Sequence, residues 1–222
     1  MVNSKATDEI VFLLDVDNTL LDNDRILVEL KAFLIHEIGV QNSVRYWQIF
    51  ERLRTECGYA DYLGALQQYR LEHIDDARGL LIAEFFLDYP FVDRLYPDAL
   101  TLIKHLQILG KTVILTDGEA VLQPRKILRS GLWDAVGGQV LIFIHKETMI
   151  DAVEQHYPAK RYVMVDDKLR ILTAMKHVWG NRLTTVFPRQ GHYAHDPEKT
   201  NPYPAADVSI AHIGELIHHD FQ

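Results

Sequence analysis

Residues 10 to 19 read Ile10-Val11-Phe12-Leu13-Leu14-Asp15-Val16-Asp17-Asn18-Thr19. The five apolar residues from Ile10 to Leu14 run without alternation and stop at Asp15. A short continuous apolar run suits a strand buried on both faces, as in a parallel sheet. The residues after the run are chemically different: two carboxylates, an amide and a hydroxyl. One aspartate at the end of an apolar strand is ordinarily a turn residue or a helix N-cap. The meaning of this stretch therefore depends on the residues that the rest of the chain places beside it.

The same punctuation recurs downstream. Thr112 to Leu115 ends at Thr116-Asp117-Gly118, Val140 to Ile144 ends at His145-Lys146, and Arg161 to Val165 ends at Asp166-Asp167. A further run, Leu183 to Phe187, stops at Pro188. Helical patterns lie between them. Pro97 suits a first helical position, with Leu100, Ile103 and Leu106 on one face and Gly110 past the end. Pro124 to Arg129, Lys146 to Gln155 and Lys168 to Val178 come next, with Gly131 and Gly180 as stops. Strand and helix in alternation predict an α/β, Rossmann-like, mostly parallel sheet flanked by helices.

Between the first strand and this series the pattern changes. Ile26, Leu27, Leu30, Phe33 and Leu34 form one helical stripe. Trp47, Phe50, Leu53 and Cys57 suggest a second helix, and Tyr62, Leu63, Leu66 and Tyr69 a third. Tyr89-Pro90 closes the stretch. The expected organisation is a discontinuous core of residues 1–22 and 90–222 with a helical insertion at 23–89.

The chain has 222 residues and a formal net charge of -8, which suits one core domain with an insertion and disfavours nucleic acid as a partner. A single cysteine, Cys57, cannot close an internal disulfide. No apolar run is long enough to span a bilayer. Met1 to Glu9 is polar and lacks a signal-peptide core. A cytoplasmic location and no membrane partner are the expectations.

In open α/β sheets ligands bind beyond the carboxyl ends of the strands. That rule selects Asp15, Asp17, Thr19, Thr116, Asp117, Lys146, Asp166 and Asp167 as candidates. Four carboxylates in one pocket call for a cation, and an all-oxygen set suits Mg²⁺. Asp15, Asp17, Asp166 and Asp167 are the candidate metal residues. Thr116 and Lys146 offer a hydroxyl and a positive charge to a phosphoryl group. Thr19 and Asp117 join them as candidate substrate contacts, Asp117 also reading as a structural loop residue. A carboxylate can itself attack phosphorus.

Asp15-Val16-Asp17-Asn18-Thr19 resembles the DxDx[TV] motif of the haloacid dehalogenase-like hydrolases. Thr116, Lys146 and Val165-Asp166-Asp167 resemble that superfamily's three later motifs, in its order, and the helical insertion resembles its C1 cap. The resemblance implies a Mg²⁺-dependent phosphatase acting on a small phosphate ester. It makes Asp15 the nucleophile and Asp17 the acid and base. Asp15, the Asp17 carbonyl and Asp166 become metal ligands, with Asp167 supporting them. Thr116 and Lys146 become phosphoryl contacts, and Lys146 also orients Asp15. Two positions depart from the pattern: Asn18 stands where glycine is frequent, and Ile171 where a further acid is frequent.

Other readings compete. A dehalogenase of the superfamily needs no second acid, so Asp17 argues against it. A sugar phosphomutase shares every core motif. A catalytically idle binding protein on the same scaffold is the reading from a different class. A nucleotide-dependent oxidoreductase lacks its G-x-G-x-x-G after the first strand. His192, His195 and Asp196 have ligand-like spacing, but 189–203 is expected to be a solvated loop, with bordering the site as the alternative. Cys57 is expected to pack between helices, and His218-His219 to end a frayed helix. Tyr46, Trp47, Tyr59, Tyr62 and Tyr69 read mostly as core, with one or two facing the substrate.

Overall fold

The computed structural model describes residues 8–221, so most of the polar stretch Met1 to Glu9 lies outside the described residues. Strands β1 (Asp8–Leu14), β2 (Lys111–Asp117), β3 (Val140–Phe143), β4 (Ala159–Val165), β5 (Leu183–Pro188) and β6 (Val208–Ile210) form one sheet in the order β3-β2-β1-β4-β5-β6. Every pairing is parallel.

The apolar run of β1 accounts for its central place. Ile10, Phe12 and Leu14 pack into the core on one face of the sheet, and Val11 and Leu13 into the core on the other. Helices α1 (Asn23–Cys57), α2 (Tyr62–Glu72) and α3 (Gly79–Asp88) form the insertion between β1 and β2, broken inside α1 at Gly39 with φ 79°. Helices α4 (Ala99–Leu109), α5 (Leu122–Arg129) and α6 (Leu132–Ala135) pack with the insertion on the first face. Helices α7 (Ile150–His156) and α8 (Leu169–Trp179) cover the second.

Several sequence expectations shift. The α4 helix starts at Ala99, because Asp98 just after Pro97 adopts φ 65°. The helix expected from Lys146 is split into a 3₁₀ turn, Lys146–Thr148, and then α7. Cys57 is exposed at the end of α1 and does not pack between helices. The segment read as a solvated loop contains α9 (Gly191–His195) and α10 (Pro197–Thr200). The chain ends with a 3₁₀ turn, Ile213–His218, in place of a frayed α-helix, and Ile213 and Leu216 anchor it in the core. Strand β6 was not expected, because three residues are too few to show a periodicity.

Candidate active site

The chain order of the strands reverses about β1, which pairs with β2 on one side and β4 on the other. Asp15 and Asp166 come directly after two neighbouring strands, β1 and β4. Parallel pairing continues past both strand ends: Asp15 N donates to Val165 O at 3.0 Å, and Asp166 N to Val186 O at 3.1 Å. The two aspartates are thus set by the sheet itself, at its carboxyl edge.

Between them lies Lys146, fully buried. Its Nζ is 2.5 Å from Asp15 Oδ1, 2.6 Å from Asp166 Oδ2 and 3.2 Å from the Leu115 carbonyl. Its backbone N donates to Asp117 Oδ1 at 2.7 Å, which ties the turn after β3 to the end of β2. Thr19 Oγ1 donates to Asp15 Oδ2 at 3.1 Å and accepts from Asp167 N at 3.2 Å. Thr116 Oγ1 lies 3.3 Å from Asp15 Oδ1 and accepts from Gln123 Nε2 at 3.0 Å. Asp15, Thr116, Lys146 and Asp166-Asp167, proposed from four separate strand ends, converge as the sequence reading required.

The electrostatics arise from this packing. Burial opposes the charge on Asp15, but Lys146 and Lys168 outweigh it and hold the carboxyl below its ordinary range. Burial opposes the charge on Lys146 too, and Asp15 and Asp166 overcome it, so its pKa is raised. Burial pushes Asp166 up, further aided by repulsion from Asp15, and pushes Asp167 up strongly. Asp117 is pushed up to about 6, chiefly by burial, although Lys146 works the other way.

Asp15, Asp166 and Asp167 place carboxylate oxygens within 4.8 Å of one another. Both oxygens of Asp167 and Oδ2 of Asp166 are buried without a hydrogen-bond partner; Asp166 Oδ2 has an ionic contact to Lys146, and Asp167 Oδ1 a longer one of 3.7 Å to Lys168. Buried polar atoms without partners are costly and ask for an explanation. An all-oxygen cluster of this kind fits a hard divalent cation such as Mg²⁺. The Asp17 carboxylate, expected in the same group, points elsewhere: both its oxygens lie 2.9 Å from Lys126 Nζ.

Lys126 was not among the residues singled out in the sequence, because it lies inside α5 and not at a strand end. A signal was present. Gln123 and Lys126 are three apart on the first helix after β2, so they share a face. Both are buried, and each reaches a site residue.

Asn18 occupies φ 61°, a left-handed conformation that glycine and asparagine tolerate best. That accounts for asparagine at a position where glycine is frequent. Its side chain accepts from Asp24 N and donates to Asp24 Oδ1, both at 3.1 Å. Ile171, the other departure, is a buried residue of α8 that packs into the core on the second face.

The 189–203 segment borders the site. Gln190 is buried and donates to the Thr19 carbonyl at 3.0 Å. His192 donates from its backbone N to Asp24 Oδ2 at 2.6 Å. Tyr193 and the insertion residues Trp47, Tyr59 and Tyr62 line a cleft of about 600 Å³ that also reaches Asp17 and Asp117. Tyr46 and Tyr69 are core residues, as expected. Cys57 has no place in this cleft among the described residues.

The fold and site define an α/β protein whose doubly wound parallel sheet gathers carboxylates and a buried lysine at its switch point. The chain belongs to the haloacid dehalogenase-like hydrolase family, whose model matches residues 11–178. Among solved structures it is similar to a chain assigned to that family from Burkholderia xenovorans LB400. The two are 63% identical with a TM-score of 0.91, over 96% of this chain and 99% of the other. YfnB of Bacillus subtilis, solved bound to magnesium, is 18% identical with a TM-score of 0.60, over 95% and 97% of the two chains. A family hydrolase from Xanthomonas campestris is 15% identical with a TM-score of 0.65, over 96% and 91%. These two share the fold. A search of curated proteins gives no significant match.

Proposed function

We propose that this hydrolase is a Mg²⁺-dependent phosphatase that cleaves a small-molecule phosphate monoester through a phospho-aspartate on Asp15. The observation that carries the reading is the environment of Asp15. Its oxygens are held by Lys146, Thr19 and Thr116, next to Asp166 and Asp167 oxygens that lack hydrogen-bond partners, with a second acid two residues on. Hydrogen bonds and a buried cation keep Asp15 ionised and fix its orientation, which a nucleophile needs.

In the first step an Asp15 oxygen forms a bond to phosphorus and the ester P–O bond breaks. Asp17 gives its proton to the leaving oxygen. In the second, Asp17 takes a proton from water as the water oxygen bonds to phosphorus. The bond between phosphorus and Asp15 breaks, the carboxylate is restored and inorganic phosphate leaves. Lys146 and Thr116 stabilise the charge of the phosphoryl oxygens. Asp15 and Asp166 would hold the cation together with the Asp17 carbonyl, and Asp167 would support it. When bound, Mg²⁺ offsets the crowded carboxylates and the phosphoryl charge. The insertion acts as a cap over the cleft, excluding water and contacting the leaving group through residues such as Trp47 and Tyr59. The protein works as a cytoplasmic enzyme on small substrates.

With p-nitrophenyl phosphate and Mg²⁺ the protein should turn over, and EDTA should stop it. Asp15→Asn should lower kcat by about 1000-fold or more. Near-normal turnover in that variant would remove Asp15 as the nucleophile.

A further inference from the structure

Lys126 is 4% exposed, and a buried ammonium must be fully engaged. Its Nζ lies 2.9 Å from Asp17 Oδ1, 2.9 Å from Asp17 Oδ2 and 2.8 Å from Asn23 Oδ1. Asn23 is the first residue of α1. The lysine thus joins three pieces of the chain: the loop after β1, the root of the insertion, and the helix after β2. Among the described residues, no other cation bonds the Asp17 carboxylate.

We propose that Lys126 is the positioning residue for Asp17: it holds both carboxylate oxygens, and so sets where the acid and base meets the leaving oxygen and the attacking water. The inference rests on the acid and base role proposed for Asp17. Asp17 side-chain atoms are 26% exposed and border the cleft, so without Lys126 the side chain could turn into solvent. A two-point ionic contact removes that freedom. Proton transfer needs hydrogen-bond reach to the leaving oxygen, and a misplacement of about 1 Å can cost about 100-fold in rate. In the step served, an Asp15 oxygen bonds to phosphorus, the ester P–O bond breaks, and Asp17, in its protonated form with the proton taken up from solvent on one oxygen, gives that proton to the leaving oxygen. Lys126 keeps its own protons throughout.

The leaving group separates positioning from other roles. An alkoxide must be protonated as it departs, whereas p-nitrophenolate leaves with little help. The test compares kcat/KM for glycerol 2-phosphate and p-nitrophenyl phosphate in wild type, Lys126→Met, Lys126→Arg, Asp17→Asn and the Lys126→Met/Asp17→Asn pair. Lys126→Met should lose about 100-fold on glycerol 2-phosphate and less than about 5-fold on p-nitrophenyl phosphate, with KM nearly unchanged. Lys126→Arg should recover part of the loss. In the Asp17→Asn background, Lys126→Met should cost nothing further. The ratio of two substrates on one preparation cancels any loss of folded protein.

Equal losses on both substrates, a rise in KM at constant kcat, or an additive loss in the double variant would overturn the assignment. If Asp17→Asn shows the alkyl-selective defect and Lys126→Met does not, only the role of Lys126 falls. If Asp17→Asn shows no such defect, the acid role of Asp17 falls and takes this inference with it.

Discussion

Asp167 shows how far a single residue can be pushed by its surroundings. Both its oxygens are buried without hydrogen-bond partners, and burial raises its pKa well above the ordinary carboxylate value. An acid whose folded pKa is raised costs stability once pH exceeds its unfolded value, and the cost grows up to the folded value. Asp167→Asn should therefore make the metal-free protein more stable at pH 7, by about 1–3 kcal/mol, or roughly 2–12 °C in Tm. The gain should vanish below about pH 4. The same change should blunt the rise in Tm that saturating Mg²⁺ produces in the wild type, about 2.7 kcal/mol at 100 times Kd. Differential scanning calorimetry in EDTA and in Mg²⁺ reads both. An unchanged Mg²⁺ response would show that Asp167 does not serve the cation.

At this scale the sequence was legible where a residue lay at or just past the carboxyl end of a strand. Asp15, Thr116, Lys146 and Asp166-Asp167 announced themselves because an apolar run stops at each, and a parallel sheet brings such stops to one edge. Lys126 and Gln190 did not. Their contacts come from the docking of a helix and of a loop against the catalytic turn, which depends on distances that no local pattern carries.

Among the elements, α1 is tied to the core at its root by a compact polar cluster. Glu29 accepts from Tyr89 Oη at 2.5 Å, from Arg94 Nη2 at 2.9 Å and from Arg25 Nε at 2.7 Å. Arg94 Nε also donates to Tyr89 Oη at 2.8 Å, so the two partners brace each other. Burial works against the Glu29 charge, but the Tyr89, Arg25 and Arg94 contacts outweigh it and lower the pKa to about 2. A carboxylate with a lowered folded pKa contributes stability above its unfolded value and loses it as pH falls toward the folded one. Glu29→Gln should lower Tm by a few degrees at pH 7, about 1 kcal/mol for a partly exposed network. The gap between variant and wild type should close as pH falls from about 4.5 toward 2. Urea midpoints at pH 7 and pH 3 measure it, and a gap that widens on acidification would contradict the assignment. None of this cluster was legible from periodicity. Helical stripes identified most of the apolar faces of the insertion, Cys57 excepted, but a glutamate and an arginine 65 positions later carry no pattern that pairs them.

Across the whole molecule, the insertion and the core are one packed body on the first face of the sheet. Ile26, Leu30, Phe86 and Phe91 belong to the same buried cluster as Phe12 and Leu14 of β1 and Leu122 of α5. The gap left where Ile26, Leu30, Phe86, Phe91 and Leu122 meet is only about 20 Å³. Polar ties run across the same boundary: Arg125 of α5 donates to the Leu87 carbonyl at 2.6 Å, and Arg129 to the Asp88 carbonyl at 3.1 Å. An element that shares its core with the sheet cannot melt without exposing the sheet's own apolar face. Heat should therefore unfold the protein in a single transition, with calorimetric and van't Hoff enthalpies in agreement. Two resolved transitions would mean that the insertion is an independent unit. The same packing constrains how a cap of this kind could admit substrate. Buried side chains in close contact resist rigid separation, so access to Asp15 should come by way of the polar rim of the cleft. There Tyr59 lies just past α1 and Tyr193 on α9, and both elements end at loops. The prediction extends to Leu122→Ala, which removes apolar contact between the two parts. It should cost about 2–5 kcal/mol and lower the one transition as a whole, with no early-melting insertion splitting away.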